Sequence, residues 1–190
     1  IIVTARRSEV LARSLAREIA ERGWNDRTRF RRELTSVDEA VRRARENAAD
    51  PTLPALIYSD AGDNPGGGGG GNTTELLEAL VADEARGVLF GSFFDPALAD
   101  DALAAGVGNT FTAVFNRATN VPFAPRFEVE ARVVAVNDQP FVGRRGIYAH
   151  RKVEVEPSAA IEIGGEGGIR VVVISKRYQT ADPMFFEHLG

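Results

Sequence analysis

The sequence predicts an α/β protein with a parallel or mixed sheet and covering helices in its first half and an antiparallel or mixed, β-rich second half. In residues 1–110, short apolar runs alternate with helix-periodic stretches that begin at capping residues, as expected for strands joined by crossover helices. In residues 111–190, alternating or β-branched runs are separated by glycine turns, and no helical period occurs until the end. We therefore expect an α/β part over 1–110, which contains a glycine-rich loop, and a β-rich part over 111–190.

The first part begins with two apolar runs and two capped helices. Ile1–Thr4 and Ala55–Tyr58 have the length and composition of short buried strands. Ser8 starts a helical pattern that ends at Gly23. The stretch Ser36–Glu39 is a capping box, and it predicts a second helix that extends to about residue 48. This order of elements indicates strands that lie side by side with helices packed against them.

A further strand and helix complete the α/β part. The run Val88–Phe94 is apolar and aromatic, which predicts a buried strand. Asp95 and Pro96 follow as N-cap and first helical residue, and Gly106 suits the C-terminal cap of a helix over residues 97–105. We interpret Asp95 as a structural cap rather than a catalytic acid.

The β-rich part contains several segments with strand character. Predicted strands lie at Thr110–Phe115, Phe127–Val136 and Ile147–Val155, and a hairpin with a glycine turn joins Ala159–Ile163 to Ile169–Ser175. Only the last residues, from Met184, suggest another helix.

Composition restricts the functional class. The chain has 190 residues, 44% of them hydrophobic and 26% charged, which fits one globular domain or two small ones. It contains no cysteine, so disulfides and thiolate metal sites are excluded, and a cytoplasmic location is expected. A net charge of −4 gives no general attraction to nucleic acid, and no apolar run is long enough to span a membrane. Because Ile1 lies inside an apparent strand, we expect the chain to be a fragment of a longer protein.

The stretch from Leu53 to Leu80 carries the most chemical information. After the predicted strand come Asp60, Asp63 and Asn64, then six consecutive glycines, and then a helix start at Asn72 or Thr73, where Asn72 is the expected N-cap and Glu75 completes a capping box. Glycine permits positive φ and close approach of a ligand, and the first N–H groups of a helix have no internal partner. The combination predicts a site for an anion or for a developing negative charge.

Three interpretations of this glycine-rich stretch compete. A phosphate loop of the Gly-x-x-x-x-Gly-Lys-Ser/Thr type is disfavoured because no lysine follows the glycines. A flexible linker fits the glycines alone, but not the capped helix that follows them. A site loop at the carboxyl end of a strand fits the whole stretch, since open α/β sheets bind their ligands there.

One family resemblance supports the site loop. The run Asp63-Asn64-Pro65-Gly66-Gly67-Gly68, followed after a short spacer by Asn72-Thr73-Thr74, resembles the signature of the microcystinase C family, the MlrC-like metallopeptidases. This chain departs from that signature at Gly70, where the family has proline, and at Asn72, where it has aspartate. The Asp-Pro pair after residue 94, the segment 105–108 and the run from Lys176 to Pro183 are also similar to the family.

The resemblance implies the carboxy-terminal domain of an MlrC-like zinc hydrolase, which would cleave amide bonds in peptides such as linearised microcystin. In such a protein the zinc would be held by acidic and histidine residues of a preceding domain, so the expected partners are that upstream metal-binding domain and a small peptide or amide substrate. A homo-oligomer is possible. Taken with the residues, the resemblance predicts catalytic roles for Asp63 and Asn64. The predicted substrate-binding residues are Asp60, Gly66, Gly67, Gly68, Arg177 and Gln179.

The histidine count agrees that no metal ligands lie in this chain. Catalytic zinc usually takes three protein ligands, commonly histidine with a carboxylate. This chain has only His150 and His188, without a His-x-His or His-Glu-x-x-His pattern. Two alternatives to the hydrolase remain open: a non-catalytic module that binds an anion or phosphate, and an interdomain or oligomer-forming domain with a flexible loop.

Overall fold

The computed structural model describes residues 1–190, which separate into two compact units, residues 1–35 and residues 36–190. The first unit consists of helix α1 (Glu9–Asn25) and a 3₁₀ turn at Arg27–Phe30. Ser8 caps α1 as predicted, because its hydroxyl accepts a hydrogen bond from the Leu11 N–H at 3.2 Å. The helix runs past Gly23 to Asn25, so the predicted end was too early. The predicted strand Ile1–Thr4 is wrong, since these residues pair with no other segment.

The second unit is a mixed α/β fold, which confirms the predicted fold class. Its helices are α2 (Val37–Ala49), α3 (Glu75–Ala82), α4 (Pro96–Ala105) and α5 (Met184–Glu187). Its strands are β1 (Val88–Phe94), β2 (Thr110–Phe115), β3 (Phe127–Asn137), β4 (Phe141–Val142), β5 (Lys152–Val153), β6 (Ser158–Ile163) and β7 (Ile169–Ile174). Five strands form one sheet in the order β1-β7-β6-β3-β2, while β4 and β5 form a separate two-stranded pair.

Only one pair of neighbours in the main sheet is parallel. Strands β1 and β7 run in the same direction, while the β7–β6, β6–β3 and β3–β2 pairs are antiparallel. The β6–β7 pair confirms the predicted hairpin across the glycine turn. Because β1 and β7 are parallel neighbours, their carboxyl ends lie together, and the segments that follow them meet at the same edge of the sheet.

Alternation along the central strands supplies two hydrophobic cores. On one face, Ile161 and Val171 of the sheet pack with Leu77 of α3 and Leu98 of α4, and Phe93 meets Phe115 edge to face at 5.1 Å. On the other face, Ala160, Val172 and Ile174 pack with Phe141 and Phe185. The chain after β7, which includes α5, therefore covers one side of the sheet, while α3 and α4 cover the other.

Two predicted strands of this unit are wrong. Residues Ala55–Tyr58 form no strand, and the Ile57 side chain is 88% exposed. In the segment Ile147–Val155, the structure has a 3₁₀ turn at Gly146–Tyr148 and only the two-residue strand β5. Both segments have strand propensity, but propensity produces a strand only where a neighbouring strand is available to pair. None of the helices qualifies as a candidate membrane span.

Candidate functional site

The glycine loop, residues 60–73, is fixed to the carboxyl end of β1. The Phe94 N–H, on the last residue of β1, donates to the Gly71 carbonyl oxygen at 2.7 Å. A 3₁₀ turn at Pro65–Gly67 gives the loop a defined conformation in its middle. The loop therefore lies at the end of a strand, as the sequence indicates. That strand is β1, which follows the loop in sequence, rather than residues 55–58, which precede it.

Asp63 holds the two ends of the glycine loop together. Its Oδ1 accepts from the Gly71 N–H at 2.7 Å, and its Oδ2 accepts from the N–H and hydroxyl of Thr73 at 2.7 and 3.0 Å. A carboxylate offers about four acceptor positions, so three are filled and one remains. The structure thus gives Asp63 a definite role in shaping the loop and leaves it limited capacity for a substrate donor.

Asn64 organises the glycines around itself. Its side-chain Oδ1 accepts from the Gly66 N–H at 2.9 Å, and its backbone oxygen accepts from the Gly67 and Gly69 N–H groups, each at 2.9 Å. Together with the bonds from Gly68 to Pro65 and from Gly71 to Asp63, these contacts occupy five of the six glycine N–H groups. The Asn64 side-chain nitrogen has no hydrogen-bond partner and, like the Gly70 N–H, is an unused donor of this turn.

Close contacts surround two glycines of the loop, and at one of them the contact is with the backbone. A Cβ atom on Gly69 would lie 2.7 Å from the backbone nitrogen of Asn64, which is closer than any side chain tolerates. A Cβ atom on Gly66 would overlap the Oε1 atom at the flexible end of the Gln179 side chain, which would have to move aside. The second contact shows that the segment after β7 reaches the glycine loop and brings the end of the Gln179 side chain beside Gly66.

A buried amide network, which the sequence analysis missed, fixes the other side of the loop. Asn116, directly after β2, donates from its side chain to the backbone oxygens of Asn72 and Pro125 at 2.9 and 3.1 Å. The Asn72 side chain donates to the Asn116 Oδ1 at 2.9 Å. Asn116 has φ 59° and is 3% exposed. Asparagine is one of the few non-glycine residues that adopt this conformation readily. That preference is the only feature of the sequence that could have pointed to Asn116.

The network corrects the predicted role of Asn72. The N-cap of α3 is Thr74, and Asn72 serves the contact with Asn116 instead, so the expected capping box with Glu75 is absent. An aspartate at position 72 has no N–H to donate to the Asn116 Oδ1. Asparagine at position 72, where the family signature has aspartate, therefore supplies the N–H that the Asn116 Oδ1 accepts.

Asp95 connects the network to α4. Its Oδ1 accepts from the Leu98 N–H at 3.1 Å, as the predicted N-cap should, and its Oδ2 accepts from the Asn116 N–H at 2.7 Å. Burial raises the pKa of Asp95 above its ordinary value, and the backbone N–H groups of Asn116 and Leu98 oppose that rise. Both oxygens are occupied and the residue is 4% exposed, which supports a structural role.

The remaining predicted site residues are more peripheral. Asp60 is exposed, and its Oδ1 accepts from the N–H groups of Gly62 and Asp63 at 2.8 and 3.2 Å. Arg177 is exposed and forms neither an ion pair nor a hydrogen bond. The structure thus joins Asp63, Asn64, Gly66 and Gln179 by contact, while Arg177 has no contact that places it in the same group.

Asp182, which ends the segment carrying Gln179, is a second organising carboxylate. Its Oδ2 accepts from the N–H groups of Arg144 and Arg145, each at 2.6 Å, and its Oδ1 accepts from the Met184 N–H at 2.9 Å. Burial would raise the pKa of Asp182, but these backbone donors hold the pKa below its ordinary value. Asp182 therefore fixes the start of α5 and the course of the preceding segment.

The residues of this chain do not fit a catalytic zinc centre. No three histidine, aspartate or glutamate side chains converge in a way that could hold a metal ion. The His188 ring is already engaged, with Nδ1 2.8 Å from the Met184 oxygen and Nε2 2.9 Å from the Ser158 hydroxyl. Burial lowers the pKa of His188, although its hydrogen bond to the Met184 backbone acts in the opposite direction.

Comparison with known proteins agrees with this architecture. Residues 58–190 match the family model described as the MlrC C-terminus. The fold is similar to that in a 2.13 Å crystal structure described as a "putative metallopeptidase" from Mesorhizobium sp. BNC1, with a TM-score of 0.73 and 22% identity. That similarity covers 94% of this chain and 34% of the other, so this chain spans about a third of its length. No curated protein matches the chain.

Proposed function

The chain belongs to the family of MlrC C-terminal domains, and we propose that it is the site-contributing, carboxy-terminal domain of a zinc-dependent amidohydrolase or peptidase that resembles microcystinase C. The observation that carries this proposal is the glycine loop, which is rigidly closed and yet retains unused polar groups. The Asn64 side-chain nitrogen and one acceptor position on Asp63 are not consumed by the loop. Rigid elements that present a few unpaired polar atoms are what substrate positioning requires.

Asn64 is suited to stabilise a substrate carbonyl oxygen. Its Oδ1 is fixed by the Gly66 N–H, so its nitrogen has a defined direction and donates without reorganising the loop. A preorganised donor of this kind stabilises the charge that develops on an amide oxygen when water attacks its carbon. The remaining acceptor position of Asp63 would bind an N–H or amine of the substrate, and Gln179 would contribute further polar contacts.

The zinc and its activated water would belong to the preceding domain. A metallopeptidase zinc lowers the pKa of its bound water and polarises the carbonyl group. The present residues offer no ligand set for it, so the part of this domain is to hold and orient the substrate. A microcystin-like substrate, a cytoplasmic location and a homo-oligomer remain predictions.

The alternative, a module that binds phosphate or another anion, has weaker support. Such a site needs several backbone N–H groups that converge on the ligand. In the glycine loop, five of the six glycine N–H groups donate to Asp63, Asn64 or Pro65. Phosphate that raised the unfolding temperature of this chain in a concentration-dependent way would nevertheless favour the module.

The division of labour can be tested by comparing this chain with the product of its full open reading frame. Zinc content and hydrolysis of a peptide panel should be measured side by side. We expect the longer protein to bind about one zinc per chain and to cleave peptides, and this chain to do neither. Stoichiometric zinc binding by residues 1–190 alone would refute the proposed division.

The role of Asn64 is tested by Asn64→Asp in the longer protein. Aspartate keeps an oxygen for the Gly66 N–H but lacks the side-chain N–H, so the loop should stay closed while the donor is lost. We expect kcat to fall about 10²–10³-fold, and unfolding free energy and zinc content to stay unchanged. Asn109→Asp, at an exposed amide that bonds only the Ala105 oxygen, is the matched control. Undiminished kcat in Asn64→Asp would remove Asn64 from the site. Asp63→Ala should likewise abolish turnover, but it also removes three hydrogen bonds that close the loop.

A further inference from the structure

Strand β1 has an outer edge that is open over its first residues. Farther along, the Ser92 N–H donates to the Thr180 hydroxyl at 3.1 Å and the Phe94 N–H donates to the Gly71 oxygen at 2.7 Å. Strand β1 is the end strand of the sheet and pairs only with β7. The N–H groups of Val88 and, just beyond the strand, Asp95 point toward β7, where they bond Gly168 and Ile174 at 3.3 and 3.1 Å. Backbone groups alternate sides along a strand, and the register of the β1–β7 pair shifts between Gly91 and Phe93. Counted from Val88, before that shift, the backbone groups of Leu89 and Gly91 face away from β7. An exposed strand edge of this kind is a template for another strand.

The apolar segment Leu53–Tyr58, here called the strap, lies unpaired in the same unit. It has strand-forming composition but no strand partner, and its Ile57 and Leu56 side chains are 88% and 41% exposed. A hydrogen bond from the exposed Asn47 side chain to the Pro54 oxygen, 3.0 Å long, connects it to α2. An apolar run in water without a partner has a large amount of surface to bury.

The glycine loop tethers the strap beside the open edge. Tyr58 is five residues from Asp63, whose carboxylate bonds the Gly71 N–H, and the Gly71 oxygen in turn accepts from Phe94 at the end of β1. Five extended residues reach about 17 Å, whereas neighbouring strands lie about 4.8 Å apart. An antiparallel strap would need this tether fully extended, whereas the turn in which Asp60 accepts from the Gly62 and Asp63 N–H groups shortens it. From this attachment at the carboxyl end of β1, the strap is therefore placed to lie along the edge in the parallel direction.

We propose that the strap, which is unpaired in this structure, is poised to move onto the outer edge of β1 and add there as a sixth, parallel strand, which would complete a strand–helix–strand unit with α3. The backbone groups of Leu89 and Gly91 would then gain partners. Side chains of the strap that share the face of Leu89, itself 55% exposed, would extend the groove of about 280 Å³ that Leu89, Phe186 and Leu189 line. The glycine loop would then be held by strands on both sides. This inference does not depend on the proposed function.

Disulfide trapping tests the pairing directly, because the chain has no cysteine of its own. Leu89→Cys is combined with Leu56→Cys in one variant and with Ile57→Cys in another, since either side chain could share its face. A disulfide needs Cβ atoms about 3.5–4.5 Å apart, which neighbouring strands supply. The control combines Ile57→Cys with Val142→Cys, an exposed residue of the separate β4–β5 pair.

We expect one Leu89 variant to form its intramolecular disulfide at least tenfold faster than the control, measured by mass spectrometry in dilute protein. Rates no faster than the control for both variants would overturn the proposal. Amide exchange gives an independent measurement: the Leu89 N–H should exchange at least tenfold more slowly in the wild type than in Ile57→Pro, which cannot donate from the strap. Equal exchange rates would also overturn it. Because Ile57 is exposed and unpaired, the proline should leave the rest of the unit folded.

Discussion

Removal of the Asn116 side chain should detach the glycine loop from the β2–β3 connection. The Asn116 amide makes three hydrogen bonds, two to Asn72 and one to the Pro125 oxygen. At about 1 kcal/mol net for each bond, their loss costs about 3 kcal/mol. Alanine pays an additional penalty of about 1–2 kcal/mol at φ 59°, because a Cβ atom is disfavoured in the left-handed region.

Glycine at the same position separates the two effects. Asn116→Gly loses the same hydrogen bonds but has no Cβ atom, and its greater freedom in the unfolded chain costs about 0.5–1 kcal/mol. We therefore expect Asn116→Ala to lower the free energy of unfolding by about 4–5 kcal/mol and Asn116→Gly by about 3.5–4 kcal/mol.

Urea unfolding followed by circular dichroism measures both variants, and amide exchange of residues 63–73 reports whether the loop opens. Asn109→Ala is the control, because its amide bonds one oxygen at an exposed position. A loss below about 1 kcal/mol in both variants would show that the network adds no more than one ordinary hydrogen bond. A glycine variant less stable than the alanine variant would contradict the assigned backbone conformation.

Three further predictions concern loop closure, acid stability and the second core. Gly69→Ala should lower the free energy of unfolding by about 1–3 kcal/mol. Its control is Gly67→Ala, whose Cβ would meet nothing closer than 3.9 Å and which should change that free energy by less than about 0.5 kcal/mol. Equal values for the two variants in urea unfolding would contradict the steric argument. Since the folded-state pKa of Asp182 is lowered, its stabilisation is present above the unfolded value of about 4 and is lost as the pH falls through the folded value. The deficit of Asp182→Asn relative to wild type should therefore be present at pH 7 and shrink at pH 3, and a constant deficit would refute this linkage. Phe185→Ala should lower the free energy of unfolding by about 3–5 kcal/mol, because the ring is fully buried against Phe141. Phe123→Ala, at a residue that is 65% exposed, should lower it by less than about 0.5 kcal/mol. Similar losses for the two variants in thermal unfolding would contradict the core assignment.

Local sequence signals correctly predicted the helices and strands whose ends are set by residues within or next to them. Strands β1 and β2 begin and end as predicted, and Ser8, Ser36 and Asp95 cap their helices as expected, because a cap is a hydrogen bond between residues three apart. The segments at 55–58 and 147–155 failed because a strand needs a partner, and strand propensity does not indicate whether one is adjacent. The α/β class could be predicted from the order of apolar runs and helical stretches, whereas the pairing of β1 with β7, some eighty residues apart, could not.

The candidate site divides in the same way. The sequence by itself determined that Asp63, Asn64 and the glycines form one loop and that this loop resembles the MlrC signature, since these residues are consecutive. Only the tertiary structure decided what the polar atoms do: the glycine N–H groups close on Asp63 and Asn64, the Asn64 nitrogen is left free, and Asn116 and Gln179 arrive from distant strands. The physical reason is that each hydrogen-bonding atom forms only a few bonds. Most of the groups that compete for those bonds lie far away in sequence and come within reach only through long-range packing.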